Sequence, residues 1–175
     1  MSTPKGSTSR SSTVIERTYR TRVEKLWGLW TTKEGFESWW GSEGSRVEVH
    51  TIEAREGGTL HYDMIAVAPA DIATRNQMGL APSSSVRARF TEFKPYQRLI
   101  LAHVIDFVPG VKPYESTIAV DFFPAGDMVR MVTTIEPMHN EEFTQTSIRV
   151  FTSQLKMLEG RFQGQVRGNV TRAIS

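Results

Sequence analysis

The 175-residue chain contains no cysteine. This excludes a disulfide scaffold, a zinc–thiolate site, an iron–sulfur cluster and a thiol nucleophile. It also fits a reducing compartment, so a cytoplasmic location is expected. No stretch approaches the roughly 18 apolar residues of a membrane-spanning helix, and the first residues lack the apolar centre of a secretory signal. No membrane span is therefore expected. Charge of one sign is scarce as well: 21 basic residues against 19 acidic leave a formal excess of +2. That surplus is too small to predict a nucleic-acid partner. Arg87 and Arg89 alternate with Val86, Ala88 and Phe90, which is the pattern of a half-exposed strand rather than a basic patch.

Catalytic and metal spacings are missing too. There is no G-x-S-x-G elbow, and Ser83, Ser84 and Ser85 read as a solvated loop run. The histidines His50, His61, His103 and His139 include no H-x-x-x-H pair, so no metal site is expected. No glycine-rich loop joins a strand to a helix, so no phosphate cradle and no cofactor are expected. No residue is assigned a catalytic role from spacing.

What is present is an ordinary globular composition, 39% hydrophobic and 23% charged. The length favours one domain. Residues 1–13 are polar and rich in Ser and Thr and are expected to be a flexible tail. Residues 14–19 alternate as a strand. Thr21 and Glu24 have the spacing of a capping box, followed by an apolar stripe at Val23, Leu26, Trp27 and Trp30. Thr32 opens a second short helix carrying Phe36, Trp39 and Trp40. Residues 46–137 then read as three hairpins. Their turns fall at residues 56–58, 94–97 and 124–127, and a loop or lid at 68–84 contains a helical turn at 71–78. Asn140 caps a long helix with an apolar stripe at Phe143, Ile148, Phe151, Leu155, Leu158 and Phe162. The expected class is α+β: a curved antiparallel seven-stranded sheet wrapped around one long C-terminal helix, with two short helices after strand 1. The domain spans 14–162, and 163–175 is expected to fray at Gly160, Gly164 and Gly168.

Several segments, in order, resemble one family. The run from Glu16 to Gly44 has its charged first strand, a tryptophan-bearing helix, Thr32-Lys33-Glu34, and Trp39-Trp40-Gly41 with Ser42 where proline is usual. Ile52-Glu53-Ala54-Arg55-Glu56-Gly57-Gly58 resembles its hairpin, and Phe90-Thr91-Glu92-Phe93-Lys94-Pro95 with Arg98-Leu99 resembles a later segment. The helix from Phe151 to Leu158 is similar to its last helix, with Val150 and Phe151 in place of glycine and tryptophan. These motifs resemble the START-like superfamily, and most of all the group named for homologues of the activator of heat-shock protein 90 ATPase. The resemblance covers about residues 14–162. It implies the helix-grip fold seen in the birch-pollen allergen, and it implies superfamily activities that range from lipid carriage to aromatic cyclisation.

A sheet wider than the single helix beneath it leaves a hollow, which is where a ligand is expected. Residues two apart share a strand face. This places Leu60, Tyr62 and Met64 inward, then Ser116, Ile118, Val120 and Phe122, then Val129, Met131, Thr133 and Ile135; in residues 98–106 the set Leu99, Leu101, His103 and Ile105 is taken as inward, although Ile100, Ala102 and Val104 on the opposite face are apolar too and parity leaves that strand open. Glu92 shares the parity of Ala88 and Phe90 and is a further inward candidate. The expected lining is Trp40, Tyr62, Met64, Phe90, Leu101, His103, Tyr114, Ile118, Val120, Met131, Phe151 and Leu155. Tyr62, His103 and Tyr114 are its polar handles. The leading expectation is a noncatalytic protein that binds a small apolar or aromatic molecule. The first alternative is a cyclase- or dehydratase-like enzyme with His103 as acid or base, oriented by Tyr62, Tyr114 or Glu92. The second is a chaperone-linked or regulatory interaction module with an apolar patch on 68–84. A homodimer is left open.

Overall fold

The computed structural model describes residues 11–41, 44–77, 79, 81–162 and 166–174. The order is β1 (Ser12–Arg20), α1 (Val23–Thr31), α2 (Lys33–Glu37), β2 (Ser45–Ile52), β3 (Thr59–Ala66), α3 (Pro69–Gln77), β4 (Ser83–Lys94), β5 (Arg98–Ile105), β6 (Tyr114–Ala125), β7 (Met128–Ile135), α4 (Glu141–Glu159), a 3₁₀ turn (Gly160–Phe162) and β8 (Val166–Ile174). The strands form one curved antiparallel sheet in the order β2-β3-β4-β5-β6-β7-β1-β8. This is the helix-grip architecture with eight strands rather than seven. The additional strand, β8, lies in the segment expected to fray, and it pairs with β1 from Ser12↔Ile174 to Tyr19↔Val166. The three glycines lower helix propensity, and β1 offers an otherwise unpaired edge for the chain to satisfy. The expected N-terminal tail lies mostly outside the described residues.

Local chemistry explains most boundaries. Thr32 Oγ1 accepts from the Gly35 amide at 3.0 Å and opens α2. Asn140 Oδ1 accepts from the Phe143 amide at 2.7 Å and opens α4. The capping box expected at Thr21 does not form. The N-cap of α1 is Arg22, one residue later, so Glu24 falls at the second helical position instead of the third. Thr21 Oγ1 instead donates to the Arg22 carbonyl. In the β2–β3 turn, a Cβ on Gly58 would lie 1.9 Å from the Glu53 carbonyl oxygen, so only glycine fits.

The inward faces are those predicted by parity, with one exception. At the β4–β5 pairing the register shifts between Phe90 and Glu92. This bulge places one extra residue in β4 and reverses the face of everything after it. Phe93 therefore turns inward against Trp27, with ring centroids 5.0 Å apart. Glu92 turns outward, where Arg98 Nε donates to it at 3.1 Å. The reading of Glu92 as an inward group is thus corrected.

α4 lays Phe151, Leu155 and Leu158 against the sheet. Toward its C-terminal end the space is solid. Trp30 and Trp39 meet edge to face at 4.7 Å, Tyr19 lies 4.8 Å from Phe162, and Phe90, Leu101, Met131 and Leu155 are fully buried. Each indole removes roughly 150–250 Å² from water, about 4–6 kcal/mol at ~25 cal/mol per Å². The tryptophans of α1 and the segment after α2 thus plug one half of the hollow and leave the other half to its walls. α3 buries none of its residues. It is a helix of two turns where a short turn was expected, and it does not border the remaining space.

Candidate functional site

The open half of the hollow is a cavity of about 270 Å³. Its floor comes from the inward residues of the sheet: Tyr62 and Met64 of β3, His103 of β5, and Ser116 and Ile118 of β6. Its roof is α4 from Phe143 to Gln154. Trp40 closes the inner end. Phe107, 65% exposed, and Val150, 41% exposed, mark the mouth. An apolar cavity of ~150 Å³ holds one benzene, and this space is larger.

The polar groups are organised by hydrogen bonding. Gln154 Nε2 donates to the Trp40 carbonyl at 2.7 Å and ties α4 to the inner wall. Trp40 Nε1 donates to Tyr62 Oη at 2.8 Å. Tyr62 Oη lies 3.2 Å from His103 Nε2. An indole N–H only donates, and a phenol carries one proton. The arrangement in which the Trp40 and Tyr62 protons both have acceptors has the Tyr62 hydroxyl donating to Nε2, which leaves the proton of His103 on Nδ1. Trp40 stacks on the His103 ring with centroids 5.9 Å apart and planes 5° from parallel. Burial lowers the His103 pKa to about 4, so the imidazole is neutral at pH 7. Burial also raises the Tyr62 pKa above its ordinary value, although the bond from Trp40 opposes this.

The twelve sequence-predicted lining residues divide into three groups. Trp40, Tyr62, Met64, His103, Ile118 and Phe151 come together around the cavity. Phe90, Leu101, Val120, Met131 and Leu155 face inward but are packed into the solid half of the core. For these five, parity identifies the face but not which end of the strand is hollow. Tyr114 is placed elsewhere. Its hydroxyl is 2.8 Å from His139 Nδ1 and accepts from the His139 amide at 3.2 Å, so it is engaged with the β7–α4 connection instead of the cavity. Sequence reasoning places Ser116 inward without counting it in the lining, and it misses Gln154, Phe107 and Met138. A signal existed for the first two: Ser116 has inward parity, and Gln154 is a polar residue three positions after Phe151 on the buried stripe of the helix. Phe107 and Met138 lie in connections, where periodicity carries no information.

Comparison with known proteins agrees with this architecture. The family model described as "Activator of Hsp90 ATPase homolog 1-like protein" matches residues 20–163. Among solved structures, protein CV1439 from Chromobacterium violaceum is 15% identical with a TM-score of 0.67, over 87% of this chain and 98% of its own. The AHSA1 protein SPO3351 from Silicibacter pomeroyi is 19% identical with a TM-score of 0.67, over 86% and 96% of the two chains. CalU16 from Micromonospora echinospora is 15% identical with a TM-score of 0.55, over 87% and 76%. At these identities the likeness shows the fold alone. No curated protein matches. Among the described residues, no helix is long and apolar enough to cross a membrane.

Proposed function

Given that the chain belongs to the family of activator of Hsp90 ATPase homolog 1-like proteins, we propose that it binds a small apolar or aromatic molecule in the cavity beneath α4. The observation that carries this reading is the cavity of about 270 Å³, walled by Met64, Ile118, Phe143, Phe151 and the Trp40 indole. Filling it with an apolar molecule is favourable because most of its wall is apolar surface that gains by leaving water. Affinity in the micromolar range, with a negative heat-capacity change, is expected.

The enzymatic alternative draws on one observation, the 3.2 Å contact between Tyr62 and His103 at the edge of one void. Acid–base catalysis works best with a pKa near the working pH. Burial moves both groups the other way, His103 down to about 4 and Tyr62 up. The pair is a weak base beside a weak acid, which favours binding over turnover. The interaction-module alternative finds little support: among the described residues of the β3–β4 connection, Val67 is the one exposed large hydrophobic side chain.

Titration with uncharged one- and two-ring aromatics, followed by the quenching of tryptophan fluorescence and by calorimetry, tests the proposal. Binding to the native protein and its loss in Ile118→Trp, which fills the void, is the expected pair of results. Failure of every such compound to bind up to its solubility limit would refute it. So would equal binding by Ile118→Trp.

A further inference from the structure

We propose that the cavity selects uncharged ligands that carry a carbonyl-type acceptor, held by a hydrogen bond from His103 Nδ1–H beside Ser116. This rests on the binding reading above and specifies the ligand class for the same site.

Three observations lead there. First, among the described residues, none of those lining the cavity is Asp, Glu, Lys or Arg. A carboxylate or ammonium drawn inside would shed its water and meet no opposite charge, which costs far more than the apolar contacts return. Second, several polar groups on the walls are committed, while the Ser116 and Ser147 hydroxyls and Gln154 Oε1 have no hydrogen-bond partner among the described residues. Tyr62 Oη is held between Trp40 and His103. Gln154 Nε2 donates to the Trp40 carbonyl. Thr146 Oγ1 donates to the Glu142 carbonyl and accepts from Arg149. His103 Nδ1 has no hydrogen-bond partner among the described residues, and with Nε2 occupied it is the ring nitrogen left for a ligand. Third, His103 and Ser116 are directly paired across β5 and β6, and both border the cavity. Their Cβ atoms are neighbours at such a pair, so imidazole and hydroxyl form one polar spot in an apolar floor.

The proton on Nδ1 makes that spot a donor. It matches the lone pairs of a ketone, aldehyde, ester or lactone oxygen, and it does not match a hydrocarbon. The neutral state of the imidazole agrees, because it offers no positive charge to hold a carboxylate. A donor poised for an acceptor discriminates against the analogue that lacks it, since the site's own polar group is then left unpaired.

Three planar probes of equal shape separate the outcomes: 2-acetylnaphthalene, 2-isopropenylnaphthalene and 2-naphthoate, titrated into the full chain at pH 7.5. The ketone is expected to bind roughly two- to tenfold tighter than the alkene, and the carboxylate at least about tenfold weaker than the ketone. His103→Leu is expected to abolish or invert the ketone preference while still binding the alkene. His103→Gln, which restores an N–H donor, is expected to recover part of it. Infrared spectroscopy of the bound ketone in the native protein gives a reading that needs no variant: its C=O stretch is expected at lower frequency than in hexane. Alkene binding as tight as ketone binding would overturn the carbonyl assignment and leave the apolar-ligand reading standing. Preferred binding of naphthoate, or an unshifted C=O stretch, would overturn it in the same way. If none of the three binds, the carbonyl assignment falls, and the wider titration above decides the apolar-ligand reading.

Discussion

Three buried hydroxyls in this core should respond to deletion in opposite directions, and the contrast tests the hydrogen-bond assignment of the site. Tyr62 and Trp40 are both 3% exposed, and the Tyr62 hydroxyl is the acceptor for the Trp40 Nε1–H at 2.8 Å. Tyr62→Phe keeps the ring and its apolar burial but strands that N–H away from water. An unpaired buried donor costs about 1–3 kcal/mol. The expected loss is about 2 kcal/mol, or a drop in Tm of roughly 4–8 °C for a chain of this size. Thr133 is fully buried, and its Oγ1 has no hydrogen-bond partner among the described residues. Thr133→Val removes an unpaired polar atom and keeps the shape, so stability is expected to rise by about 1 kcal/mol. Tyr19, whose hydroxyl is also buried without a partner among the described residues, should behave likewise as Tyr19→Phe. Thermal and urea melts of the three variants give the comparison. If Tyr62→Phe melts at or above the native protein, or if all three fall together, the assignment of donors and acceptors around Trp40 is wrong.

Acid should weaken the fold through His103. Its pKa is about 4 in the folded state against 6.5 for the free group, so the unfolded chain takes up the proton first. That contribution is intact above about pH 6.5 and is lost as the pH falls toward 4, by up to roughly 3 kcal/mol. The difference in stability between pH 7 and pH 4.5 should therefore be smaller in His103→Leu than in the native protein, and equal differences would refute the cause. Asn140→Ala removes the acceptor for the Phe143 amide and is expected to cost about 1 kcal/mol, read as a Tm roughly 2–4 °C lower. An unchanged melt would show that water caps α4 as well as the side chain does.

Much of the fold is legible in the amino-acid order, because periodicity reports which face of an element is apolar. The tryptophan stripe of α1, the Thr32 and Asn140 caps, and the inward faces of β3, β6 and β7 all follow from local spacing, and local rules decide them. The same spacing puts Tyr62 on an inward face, whereas β5 is apolar on both sides and its pairing in the sheet is what turns His103 inward. Three features are not available at that level. The bulge between Phe90 and Glu92 reverses parity without any glycine or proline to mark it, since a bulge is chosen by the pairing of two strands and not by either alone. The glycines around β8 disfavour a helix and suggest fraying, yet an open edge on β1 gives those residues a partner. And the division of the hollow into a packed half and an open half depends on how Trp30, Trp39, Phe90 and Met131 share volume across elements far apart in sequence. Faces belong to the chain's own repeat. Voids and hydrogen-bond partners belong to whatever the fold carries to the other side, and so the cavity, together with the relay from Trp40 through Tyr62 to His103, is decided by tertiary packing alone.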